Sequence, residues 1–196
     1  MLLIPTQHYI LIPENAEATS YEPHLGNLLH YCDLWWQMYG IDIDYSSVIV
    51  REARLNTAND EPYNEVLNWW LYQPEYDVAK TCVVFLKNWD SQKYIGWGGR
   101  PLAVVGDYAL NRVLSSGSPD AITDDWTAGQ LILHEEGHAL GLPHDFSDDH
   151  LIMSYGHHKF NSYLGQAAQD KLTQLWTPRE REDPMVHPEP CIRPAP

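Results

Sequence analysis

The stretch His134-Glu135-Glu136-Gly137-His138-Ala139-Leu140-Gly141-Leu142-Pro143-His144-Asp145 decides how this chain is read. It has the form H-E-x-x-H-x-x-G-x-x-H. Residues four apart on an α-helix lie on one face, one turn apart, so His134 and His138 can aim two imidazoles at one ion. Glu135 stands beside the first of them, where it reaches a water on that ion without binding the ion itself. Gly141 lets the chain leave the helix through the left-handed conformation, which glycine adopts without steric cost. The turn then brings His144 to the same ion from another direction. Three protein nitrogens leave a fourth position open for water, the mark of a catalytic rather than a structural zinc site. Met153 follows His144 by nine positions, where a methionine-containing turn fits beneath the metal.

The chemistry expected of such a site is hydrolysis of a peptide bond. Zinc lowers the pKa of a bound water toward neutrality and polarises a scissile carbonyl. Glu135 takes the water proton and later passes it to the leaving amine. Each ligand histidine should donate its other ring N–H to a carbonyl or carboxylate, which fixes the tautomer. The competing reading is a surface helix that carries histidines by chance; the glycine and third histidine at fixed spacing argue against it.

From about Trp126 to Phe160 the segment resembles the metzincin clan of zinc endopeptidases, whose signature is this longer motif followed by a methionine turn. The resemblance implies that His134, His138 and His144 bind zinc, that Glu135 is the base, and that Met153 forms a hydrophobic floor under the metal. The run Ile152-Met153-Ser154-Tyr155-Gly156 is similar to the turn of astacins and serralysins. That likeness implies that Tyr155 binds zinc in the resting enzyme or stabilises the oxyanion, a job suited to a phenol donor; the bland alternative is that Tyr155 packs or caps the turn. Asp145 after the third histidine is similar to reprolysins, where astacins carry glutamate. Ala139, Leu140, Leu142 and Pro143 resemble matrixins and serralysins. The clan is thus indicated and the family within it left open.

The chain has 196 residues, 44% of them hydrophobic, enough for one domain with a sizeable core. Eight tryptophans and twelve tyrosines are many for this length, and core packing is the plain use for them. A net charge of −15 argues against nucleic-acid or anionic-membrane partners, which need basic patches. No stretch reaches the ~18 apolar residues of a membrane span. The first twelve residues carry Pro5, Gln7 and His8 without a basic leader and do not read as a signal peptide. Location is left open, with secretion the favoured reading. Cys32, Cys82 and Cys191 allow at most one intramolecular pair, with Cys32–Cys82 the candidate, so this is no disulfide framework. Some metzincins are held inactive by a cysteine on zinc, but the Glu189-Pro190-Cys191 context does not match the usual propeptide pattern and lies at the other end.

Along the chain, His8 to Ile12 reads as a strand closed by Pro13. Leu25, Leu28, Leu29, Cys32, Trp35, Trp36 and Tyr39 recur at helical spacing, ended by Gly40. Ser47–Arg51 reads as a second strand and Asn64–Tyr72 as a short helix. Thr81–Leu86 and Leu102–Val105 are buried strands, separated by the glycine-rich turn Gly96-Trp97-Gly98-Gly99. Thr123 or Asp124 is expected to cap the motif helix, and Ser162–Trp176 to form the last one. Residues 1–178 then make the catalytic domain and 179–196 a Pro-rich C-terminal tail. The fold class is α+β. By resemblance it is a zincin-like twisted, mixed five-stranded sheet with the active-site helix and a C-terminal helix, and substrate adds as a strand at the sheet edge. Tyr94 to Arg100 is the candidate rim, with a plain turn as its rival.

Other clusters are weaker. Asp145, Asp148, Asp149 and His150 offer oxygen ligands for calcium, though a solvated acidic loop is the favoured reading. His157 and His158 are expected on the surface, and Glu136 toward solvent or the back of the helix. The partner expected is a peptide or protein substrate. Two rivals remain in view: a zinc-containing binding module without turnover, and an amide hydrolase acting on a non-protein polymer.

Overall fold

The computed structural model describes residues 1–14, 22–55, 62–87, 89, 94–106, 122–123, 126–154, 163–176 and 189–192. Its frame is a mixed sheet. The centre is built from β2 (Thr6–Pro13), β5 (Thr81–Leu86) and β7 (Leu102–Gly106), which are buried along their whole length and apolar apart from Thr6, Gln7, His8 and Thr81. Strands covered on both faces read as mainly apolar because neither face meets water. β4 (Val48–Ala53) pairs parallel with β2, β2 parallel with β5, and β5 parallel with β7. β6 (Tyr94–Gly99) then runs antiparallel beside β7.

These five strands match the number expected, and a sixth lies beyond them. β10 (Glu189–Ile192) pairs antiparallel with the outer edge of β6, giving the order β10-β6-β7-β5-β2-β4. Four residues read from the sequence as tail are therefore sheet. Gly96–Gly99 also departs from expectation. It is strand rather than turn, and the chain reverses at Arg100–Pro101, whose peptide bond is cis. Two small pairs complete the strands: β1 (Leu2–Ile4) parallel with β3 (Ile41–Ile43), and β8 (Ile122–Thr123) antiparallel with β9 (Trp126–Thr127).

The alternation of side chains across the sheet divides the core in two. Ile10, Ile12, Val83, Phe85, Ile95 and Val105 face one side. There they meet α1 (Glu22–Gln37), α3 (Ala128–Ala139) and α4 (Gln166–Trp176). Tyr9, Leu11, Cys82, Val84, Leu102 and Val104 face the other, against α2 (Tyr63–Leu71). Cys32 and Cys82 therefore sit on opposite faces of the sheet. Both are free thiols, which removes the candidate disulfide.

α1 shows the expected face: Leu25, Leu28, Leu29, Cys32 and Trp36 are buried while Leu34 is 51% exposed. Gly40 closes the turn after it at φ +72°. α3 is different, since all twelve of its residues are buried. A helix buried all round is central to its fold rather than laid on the surface. It begins at Ala128, later than the Thr123 or Asp124 cap expected, because β8 and β9 take up the preceding residues; Asp124 itself lies outside the described residues. No helix among the described residues is long and apolar enough to cross a membrane.

The two faces of α1 give a direct test. Leu28→Ala should cost about 2–5 kcal/mol of unfolding free energy through the cavity it leaves. Leu34→Ala on the same helix should stay within about 0.5 kcal/mol. Urea titrations of both variants check the assignment.

Candidate metal centre and active site

α3 carries His134 and His138 one turn apart, and the chain leaves it through Gly141 at φ +100°. The turn is tied back by Gly141 N–H to His138 O at 2.9 Å and Leu142 N–H to Gly137 O at 2.8 Å. A side chain at 141 would also meet Leu175 of α4, 2.9 Å from its Cβ. Trp176 donates its indole N–H to Leu140 O at 3.0 Å, satisfying a carbonyl at the helix end that has no intrahelical partner. The turn thus delivers His144 back to the helix face.

The three imidazoles converge. Nε2 of His134 lies 3.1 Å from that of His138 and 3.2 Å from that of His144, and the His138–His144 distance is 3.1 Å. Among the described residues this is the one group of three or more such side chains that could hold a metal ion. Asp145, Asp148, Asp149 and His150 form no such group. Asp145 and Asp148 instead accept backbone N–H bonds from Ser147 and His150 within their own loop.

The tautomers follow from the neighbours. Nδ1 of His134 is 2.7 Å from Ile152 O, and Nδ1 of His138 is 2.8 Å from Leu142 O. A carbonyl only accepts, so each Nδ1 carries the proton and each Nε2 presents a lone pair. Burial pushes both histidines toward the neutral form, His134 well below its ordinary value and His138 down to about 3. The neighbouring imidazoles push the same way, while the carbonyl bonds oppose them. Neutral nitrogens about 3 Å apart with their protons turned away suit a cation. A tetrahedral zinc with Zn–N of about 2.0–2.1 Å needs nearly this spacing. The donor set therefore fits zinc.

His144 is only half-buried, and Phe146 stacks beside its ring at 5.4 Å between centroids. Beneath the helix, residues 151–154 form a tight turn closed by Ser154 N–H to Leu151 O at 2.9 Å. Asp145 N–H to Met153 O, 3.0 Å, ties it to the segment after His144. Met153 is buried, and its thioether fills the space a side chain at Gly137 would need. Met153 thus packs against the helix between its two histidines. Tyr155, His157 and His158 lie outside the described residues.

The roof of the site is β6. A Cβ on Gly96 would overlap the Glu135 carboxylate, and one on Gly98 would come within 2.5 Å of His138 Cβ and 2.9 Å of Glu135 Oε2. Two glycines on one face of the strand therefore make room for the fully buried Glu135. The sequence showed the spacing Gly96-Trp97-Gly98, but a glycine-rich run reads equally as a turn.

Behind the helix sits a group that sequence reasoning missed. Glu136 faces the back of α3, one of the two orientations expected, and is deeply buried. Its Oε2 accepts from Trp36 Nε1 at 2.9 Å and from Tyr45 OH at 2.7 Å, and its Oε1 lies 3.4 Å from His8 Nε2. His8 in turn stacks on Tyr45 at 4.7 Å. Burial raises the Tyr45 phenol well above its ordinary value, and the Glu136 charge raises it further. This network ties the motif helix to α1 and β2 on the side away from the histidines.

No protein-family model matches the chain, and no curated protein matches it in sequence. Solved structures match it in fold. Archaemetzincin from Methanopyrus kandleri gives a TM-score of 0.53 at 16% identity, over 86% of this chain and 94% of that one. Catalytically inactive OgpA from Akkermansia muciniphila, in complex with an O-glycopeptide substrate, gives 0.56 at 17%, over 85% and 59%. Metalloproteinase-II from Bacteroides fragilis gives 0.53 at 14%, over 86% and 52%. This chain thus spans little more than half the length of the latter two. At these identities the likeness is one of fold.

Two outcomes are expected. Glu136→Ala leaves the buried Trp36 donor and the part-buried Tyr45 donor without their acceptor, at about 1–3 kcal/mol for the first and less for the second. Urea titration should show a loss of that combined size, with Glu136→Gln, which keeps an acceptor oxygen, losing less. In chelator, the metal-free chain should weaken as pH falls below 6.5. There the unfolded histidines bind protons that folded His134 and His138 refuse, at about 1.4 kcal/mol per pH unit for each. For His138 the slope persists to about pH 3, and chemical unfolding at stepped pH reads it.

Proposed function

We propose that this chain is a zinc-dependent endopeptidase of metzincin type. The observation that carries the reading is the convergence of three imidazole nitrogens, 3.1–3.2 Å apart, two of them held neutral by burial, beside a buried carboxylate one position along the same helix. His134, His138 and His144 would hold the zinc, which when bound supplies a Lewis acid for the scissile carbonyl and an acidified water. Ile152 O and Leu142 O keep the first two rings in the ligand tautomer, as the partners of ligating histidines do.

Glu135 is the general base in this reading. It takes a proton from the attacking water and returns it to the leaving amine. Gly96 and Gly98 give its carboxylate the space to do so. Met153 forms the floor and holds the helix from below. Tyr155 is proposed to donate to the developing oxyanion, where a preorganised phenol is worth most. The resemblance at Ile152-Met153-Ser154-Tyr155-Gly156 supports that role. The fold shared with archaemetzincin and metalloproteinase-II supports the reaction class.

The test pairs metal content with cleavage, for the native chain and Glu135→Ala. One zinc in each, with cleavage by the native chain falling about 10²–10⁴-fold in the variant and abolished by chelator, is the expected result. The substrate panel should hold unmodified peptides, non-protein amide polymers and O-glycopeptides, the last because OgpA was crystallised with one. Zinc in both without cleavage of any member would favour a binding module. Absence of zinc from both would sink the reading.

A further inference from the structure

β6 pairs with β7 along one edge, and its face bearing Gly96 and Gly98 lies against Glu135 and His138, so its other edge runs beside the site. An open edge next to a catalytic carboxylate is where an extended peptide would bind, through the unpaired N–H and C=O groups of the strand. In this chain the edge is taken. Glu189, Pro190, Cys191 and Ile192 pair antiparallel with Gly98, Trp97, Gly96 and Tyr94, with a register shift between Cys191 and Ile192. Cys191 thus stands opposite the glycine whose missing side chain makes room for the Glu135 carboxylate.

We propose that β10 is an internal occupant of the substrate edge: residues 189–192 sit where an extended peptide must bind, and the chain gates its own cleft. This rests on the peptidase reading for what the edge is used for, but not for the occupancy itself. The strand suits displacement. It is four residues long, its register is broken after the third, and it contains a proline. Proline is tolerated at a sheet edge because its nitrogen has nothing to donate. Pairs in an antiparallel ladder alternate between bonded and non-bonded. Pro190 fits the non-bonded position opposite Trp97, which gives Cys191 the bonded position opposite Gly96.

Glu189 follows Trp176, the end of α4, by thirteen positions. A segment carried on the same chain by a short linker acts at an effective concentration on the order of mM. A pairing that is intrinsically about tenfold tighter than that concentration leaves the edge open roughly one time in ten. The apparent affinity for any outside peptide then falls by about tenfold. Basal turnover survives, and anything that draws the C-terminal strand away raises it.

The test uses three forms of the chain: native, ended at Pro188, and Cys191→Pro, which removes the N–H opposite Gly96. All three first carry Glu135→Ala so that nothing is cleaved. The probe is a dye-labelled synthetic peptide covering His187 to Pro194, with Cys191→Ser so that no thiol–metal bond contributes. The shortened and proline forms should bind it about tenfold more tightly than the native form. Equal binding by all three, or no binding by the two altered forms, overturns the proposal, whatever the cleavage assays show. Should the shortened form fail to fold, Cys191→Pro carries the comparison, with far-UV circular dichroism as its control. With Glu135 restored, cleavage of a peptide library should rise by the same factor. A binding difference without cleavage in any form would remove the peptidase reading and leave the edge occupancy standing.

Discussion

Three imidazole nitrogens within 3.2 Å of one another crowd a single spot, and the protein must hold them there. Each imidazole of this trio would relax apart if its far side were free. His134 is held by Ile152 O and His138 by Leu142 O, and these two carbonyls dictate much of the surrounding structure. Leu142 is in place because Gly141 turns the chain, and Gly141 is pinned between Leu175 and the end of α3. Ile152 is in place because the Leu151–Ser154 turn is closed on itself and tied to Asp145 and Tyr163. The last helix belongs to the same arrangement, since Trp176 caps Leu140 O.

A second constraint acts from behind. α3 is buried on every side, so its polar residues need internal partners. The two histidines find carbonyls. Glu136 finds Trp36 and Tyr45, and burying it without them would be far costlier than leaving it in water. The helix is therefore gripped on both faces, by carbonyl acceptors under the histidines and by a carboxylate on the other side. Above it, the two glycines of β6 let the sheet come down until the Glu135 carboxylate touches backbone.

What could be read from the sequence was what is encoded locally. The histidine spacing, the Gly141 turn and the buried runs Thr81–Leu86 and Leu102–Val105 depend on neighbours within a few residues. The face of α1 was legible for the same reason. The Glu136 network was not, because its donors arrive from 100 and 91 positions away. Gly96 and Gly98 were ambiguous, since glycine marks a close approach and a turn alike. β10 was hidden by its own composition. A four-residue edge strand containing proline has no periodicity to detect, and its stretch reads as tail. The Tyr155 role still rests on the wording of its segment.

The burial of the trio is uneven. His134 and His138 are sealed inside the helix packing, whereas His144 is half-buried on an outer loop with Phe146 leaning on its ring. An ion held as proposed would meet solvent on the His144 side, because His134 and His138 are both buried. Loading would then be a one-door process, with two buried nitrogens at the back and the third beside solvent. Exchange rate and binding strength would come under separate control, the first answering to the half-buried His144 side and the second to the buried pair on the helix.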